Sequence, residues 1–134
     1  MEEYFLNYEQ SLAVKELGFD IETIYVYKTN TILIGNPIKL DYFDYDYRTT
    51  TNAYIKSNYM IGWCVAPLKN QFFKWARDKY GMLGVVNVAP QGFYYYDINK
   101  IDKYKEINQD VDFDSFEEAE DACINKLIEI VKLK

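Results

Sequence analysis

A single α+β domain, with an antiparallel sheet of about four to six strands packed against three helices, is the fold this sequence predicts. Three observations carry that expectation. Three segments repeat apolar residues at helical spacing and end in a glycine or a lysine-rich turn. Short runs of β-branched and aromatic residues lie between them, joined by turn-forming residues. The chain has 134 residues, 49% of them hydrophobic, which suffices for a core and is too apolar for disorder despite a net charge of −6.

The first helix is expected over 8–17. Asn7 and Gln10 spell a capping box, and Leu12, Ala13 and Leu17 make a stripe with Tyr8 and Glu9 at its start. Gly18 suits the left-handed position after a helix, and Phe19 follows to pack back on the last turn. "IETIYVYK", a turn at Thr29-Asn30 and "TILIG" read as a hairpin. From Pro37 to Trp63, "FDYDY" alternates with period two, "AYIKSNYMIGW" holds strand formers, and Thr49-Thr50-Thr51-Asn52 offers a turn. That region is expected to be a variable hairpin or excursion at a sheet edge.

"APLKNQFFKWARDKYG" reads as the second helix, with Pro67 in its first turn and Gly81 after its end. "GVVNV", the turn Ala89-Pro90-Gln91-Gly92 and "FYYYDI" read as a second hairpin, with proline and glycine placed as in a type I turn. A short strand is expected near 101–107. The third helix is "SFEEAEDACINKLIEIVKLK", with Ser115 and Glu118 spelling a capping box, acidic at its start and rich in lysine at its end. The anchors of the core are expected to be Leu12, Leu17, Phe72, Trp75, Phe116, Cys123, Leu127 and Val131.

Composition excludes much chemistry. The chain has no histidine, which removes the commonest general base and metal ligand and every Ser-His or Cys-His arrangement. "GMLG" and "QGF" lack the spacing of a phosphate-binding loop. Cys64 and Cys123 sit in apolar company with no CxxC spacing, so they read as two buried thiols of a reducing compartment; a disulfide between them is the alternative. "MEEYFLNYEQ" lacks the basic and apolar regions of a secretory signal, and no apolar run reaches a membrane span. The expected location is therefore cytoplasmic. No cofactor is implied.

Two acidic stretches resemble metal sites. "DVDFDSFEEAED" puts Asp110, Asp112 and Asp114 at calcium-loop positions 1, 3 and 5, with Asp121 at position 12. Position 6 is Ser115 instead of glycine, and aspartate is too short at position 12, so an acidic loop entering a capped helix explains the residues better. In "DYFDYDY", Asp44 and Asp46 share a strand face about 7 Å apart, with no third ligand beside them. A pI near 4.7 disfavours direct nucleic-acid binding.

What remains is protein binding through aromatic and acidic side chains. Tyrosine offers rigid amphipathic area at low entropy cost. The candidate interaction surface is Asp41, Asp44, Tyr45, Asp46, Tyr47, Tyr54, Tyr59, Tyr94 and Tyr96. Two alternatives stand beside it: an acidic mimic that blocks a nucleic-acid-binding protein, and a histidine-free enzyme with converging lysine, tyrosine or carboxylate groups.

"YEQSLAVKELGFD", "NPIKL", "APLKNQFFKWARDKYG" and "FEEAEDACINKLIEIVK" together resemble a family of short uncharacterised proteins of phages and prophages of gut Bacteroidetes, of the crAss-like type. The poorest match is the stretch from Asp41 to Cys64. The surplus of residues with A/T-rich codons, and only Arg48 and Arg77 among the arginines, suits such a source. The resemblance implies a small intracellular phage product; the lack of catalytic groups and the aromatic, acidic side chains lead to the expectation of an accessory factor that acts on a host or phage protein. The resemblance implies no activity and carries over no catalytic residue.

Overall fold

The structure, a computed structural model, describes residues 4–28, 37–39, 50–57, 62–100, 105–108 and 112–133. It is mixed α+β, and the chain divides into two compact units, Met1–Phe72 and Phe73–Lys134.

The first unit contains α1 (Tyr8–Glu16), β1 (Tyr25–Tyr27), β2 (Ile38–Lys39), α2 (Asn52–Ser57) and β3 (Cys64–Val65). The α1 capping box forms as its sequence predicts: Asn7 Oδ1 accepts from Gln10 N at 2.8 Å, and Gln10 Oε1 accepts from Asn7 N at 2.9 Å. Gly18 takes φ 89° where the chain leaves the helix. The buried face, however, is Gln10, Ser11 and Val14 instead of the Leu12–Leu17 stripe, and those two leucines are only half-buried. With mixed polarity around α1, sequence periodicity could not select the face. Phe5, Tyr27, Cys64 and Ala66 form a core cluster, against which Tyr8, Leu12, Tyr25 and Leu68 lean. The Tyr27 hydroxyl reaches Leu6 O at 2.6 Å, which satisfies a buried phenol.

β1 pairs antiparallel with β2 on one side and β3 on the other, in the registers Val26↔Ile38 and Val26↔Val65. The expected second strand "TILIG" lies outside the described residues. The excursion expected from Pro37 to Trp63 is in part a helix, which corrects the turn and strand expected there. Thr51 is the cause: its hydroxyl accepts from Tyr54 N at 3.2 Å and its carbonyl from Ile55 N at 3.1 Å, so the "TTTN" run starts a helix where a turn was expected. Asp20 Oδ1 holds a further amide of that first turn, Ala53 N, at 3.2 Å.

The helix α3 (Lys69–Tyr80) begins two residues after Pro67, and Gly81 follows it at φ 65°. The second unit continues with β4 (Met82–Val88), β5 (Tyr94–Lys100), β6 (Lys105–Asn108) and α4 (Phe116–Lys132). β4, β5 and β6 form an antiparallel meander. The expected turn closes the hairpin: Gly92 N donates to Ala89 O at 2.9 Å, and Gly92 adopts φ 92°. Ser115 caps α4 by accepting from Glu118 N at 3.2 Å, which is the serine half of the expected box. α4 lies on the sheet face that holds Gly84, Tyr96 and Ile98, and buries Ala119, Cys123, Ile124, Leu127, Ile128 and Val131 there.

Two expectations about the whole are corrected. The described strands form two three-stranded sheets instead of one sheet of about four to six. The described helices number four, with α2 the one not foreseen. The short β1, β2 and β3 give each pairing only two registered residue pairs, so that sheet stays small.

Candidate functional site

The surface that stands out in the second unit is the hairpin end of its sheet. The register places Val88 opposite Tyr94, and Tyr94 exchanges backbone hydrogen bonds with Phe113 at 2.9 and 2.7 Å. Val88, Tyr94 and Phe113 therefore form one row across the sheet on a single face, because opposed residues share a face. That face is the one α4 covers farther along, but α4 begins only at Phe116. The next row inward is covered: Tyr96 is 3% exposed, with its ring 6.1 Å from that of Phe113. The end row is covered only in part, with Tyr94 and Phe113 half-buried. Val88 is 61% exposed and Phe116 42%, and the Phe116 ring stands edge-on to Tyr94 at 6.3 Å. Phe93, at the turn, adds a further exposed ring.

The charged residues next to Phe113 and Phe116 in sequence have one sign. Asp112, Asp114, Glu117 and Glu118 are all exposed beside it in sequence. No lysine or arginine occurs in 82–99 or in 112–125. Lys100, paired with Lys105 in the β5–β6 register, lies at the other end of β5. The N-terminus of α4 contributes only about half a positive charge. Four carboxylates outweigh it, so the segment 112–118 that leads into α4 is negative.

The residues singled out from sequence are distributed unevenly. Asp41, Asp44, Tyr45, Asp46, Tyr47 and Tyr59 lie outside the described residues. Tyr54 is half-buried on α2 in the first unit. Tyr94 is half-buried in the row just described. Tyr96 belongs to the core, and burial pushes its hydroxyl pKa upward, so its place on a surface is corrected. Alternation correctly groups Tyr94 with Tyr96, but which face of the sheet α4 would cover was not in the alternation. Phe116, expected in the core, is the exposed ring instead. It occupies the first position of α4, where the helix has just begun and has little sheet beneath it.

Other groups bear on chemistry. Among the described residues no group of three potential metal ligands converges; Asp110 is outside them, and Asp112 and Asp114 are exposed. The first unit has an open groove of about 760 Å³ lined by Leu12, Lys15, Glu16, Phe19, Asp20 and Lys56 among others. Two of its charged groups already serve the fold: Lys15 Nζ donates to Trp63 O at 2.8 Å, and Asp20 holds Ala53 N. No described helix is long and apolar enough to cross a membrane.

Cys64 and Cys123 are free and buried. Burial pushes each thiol up to about 12, so neither presents a thiolate near neutral pH. Two consequences can be measured. The native protein should leave both thiols unmodified by a disulfide reagent at pH 8, and unfolding in urea should release both. The raised folded-state values also favour the folded chain below pH 9 and lose that contribution as pH climbs from about 9 through 12. Cys123→Ala should therefore flatten the alkaline fall in stability of the native protein.

Comparison of the chain with family models, curated proteins and solved structures finds no match.

Proposed function

We propose that this chain is a non-catalytic protein-interaction module that presents the hairpin end of its second unit to a partner. In keeping with the resemblance in its sequence, it acts as a phage accessory factor inside the bacterial host. The observation that carries the reading is the exposure of Val88, at the end of the sheet row, and of Phe116, whose ring stands against the half-buried Tyr94 of that row. An aliphatic and an aromatic side chain this exposed, each next to the half-buried Tyr94, match the aromatic composition of binding surfaces. The acidic-mimic alternative draws less support, because the exposed carboxylates here flank apolar rings instead of forming an uninterrupted acidic face.

The test compares the native chain with Phe116→Ser and Val88→Ser in affinity capture from infected-host lysate. Both substitutions are at exposed positions, so stability should change by no more than about 1 kcal/mol. The expected result is a saturable partner retained by the native chain and lost by both variants. Retention by both variants, with their folding intact, would remove this surface from the function.

A further inference from the structure

We infer that the partner engages the hairpin end through a short cationic segment in which lysine or arginine alternates with large apolar residues. This rests on the interaction-module reading and specifies the chemistry of its partner.

The argument starts from what the surface offers. Val88, Tyr94 and Phe116 provide apolar contact area that the fold leaves in water. Covering it is favourable by the ordinary hydrophobic term, whatever the partner. The selection comes from charge. Every ionisable side chain in 112–121 is a carboxylate, and the strands that carry the row contribute no cation near it. A partner that buries the row must bring its own charges close to Asp112, Asp114, Glu117 and Glu118. Anionic partners meet like charge at contact distance, which costs affinity and slows encounter. Cationic ones gain on both counts.

The same reasoning disfavours a second copy of this chain as the occupant. A symmetric contact through this surface sets the patch of one copy against that of the other, and so places these carboxylates near their own duplicates. Nucleic acid is disfavoured for the same reason. Glu117 and Glu118 have a structural use, since carboxylates in the first turn complement the helix dipole. Asp112 and Asp114 precede the helix and exceed what that dipole requires.

A direct test uses three capped heptapeptides titrated into the full chain: Lys-Leu-Arg-Phe-Lys-Leu-Arg, its charge-reversed form Glu-Leu-Glu-Phe-Glu-Leu-Glu, and Lys-Ser-Arg-Ser-Lys-Ser-Arg. Binding is followed by backbone amide shifts at low and physiological salt. The expected result is saturable binding of the first peptide alone, at least tenfold tighter than either control, with the largest shifts at Val88, Tyr94 and residues 112–118. Phe116→Ser and Asp114→Lys should each weaken it severalfold, and added salt should weaken it further.

Equal binding of the charge-reversed peptide would overturn the electrostatic selection, and equal binding of the serine peptide would overturn the apolar half. No binding of the first peptide at millimolar concentration would overturn the inference as a whole. Self-association of the chain that Phe116→Ser abolishes would assign the surface to a second copy instead. The module reading fails separately. If the peptides do not bind but lysate capture still yields a partner dependent on Phe116, only the charge inference falls.

Discussion

Gly84→Val should lower the stability of the second unit by about 3 kcal/mol, the upper part of the range for overpacking a close-packed core. A Cβ at Gly84 would stand 2.9 Å from Cys123 Sγ, 2.9 Å from Leu127 Cδ1 and 3.0 Å from Phe73 Cε1. Real side chains do not approach so closely, so α4 would have to move off the sheet or Cys123 and Leu127 would have to leave their rotamers. Both are fully buried, in an interior where close packing resists such shifts. Glycine in a strand is ordinarily a weakness. Here its absent side chain lets α4 lie close to β4. Urea denaturation measures the loss. Gly84→Ala should cost less, about 1–3 kcal/mol. In the Gly84→Ala background, Cys123→Ala should cost less than it does alone, because it removes one of the obstructing atoms; a double-mutant cycle reads that coupling. Additive effects of the two substitutions would show that α4 is not held against Gly84 by this contact.

Asn52→Ala should cost the first unit about 2–4 kcal/mol. Asn52 is 6% exposed and holds two buried backbone groups: its Nδ2 donates to Phe19 O at 2.8 Å, and its Oδ1 accepts from Val65 N at 3.1 Å. Removing the amide strands a carbonyl and an amide in the interior, each at about 1–3 kcal/mol. The side chain thereby ties the loop after α1 to β3 through the first residue of α2. Asn52→Asp separates the two contacts. It keeps the acceptor for Val65 but turns an oxygen toward the Phe19 carbonyl, so the buried carboxyl favours its protonated form. Its folded-state pKa is then raised, and the variant should gain stability relative to Asn52→Ala as pH falls, where the protonated carboxyl can donate to Phe19 O again. Chemical denaturation at pH 7 and pH 4 checks this. A pH-independent gap between the two variants would show that the donor to Phe19 is not the important half.

Much of the local structure is legible without coordinates. The Asn7–Gln10 box, the Ala89–Gly92 turn, the Ser115 cap and the Cys123–Leu127–Val131 stripe are decided by groups within a few residues of one another, and each forms as its residues predict. The same holds for the β4–β5 hairpin, whose short connection leaves little choice of partner.

What sequence alone misjudged depends on distant residues. Thr51 and Asn52 read equally well as a turn, and the helix there is helped by Asp20 and by contacts from Asn52 to Phe19 and Val65. The buried face of α1 could not be chosen from a helix of mixed polarity. Tyr96 and Phe116 exchanged their expected places for one reason. Period-two and helical patterns say which residues share a face, but only packing says how far along the sheet α4 begins. The sequence by itself determined the α+β class, the caps, the second hairpin and the acidic character of residues 112–121. The tertiary structure decided that the strands split into two small sheets, and that a valine, a tyrosine and a phenylalanine meet where the cover of α4 runs out. Local rules act over a few residues, whereas an exposed row is defined by what fails to reach it.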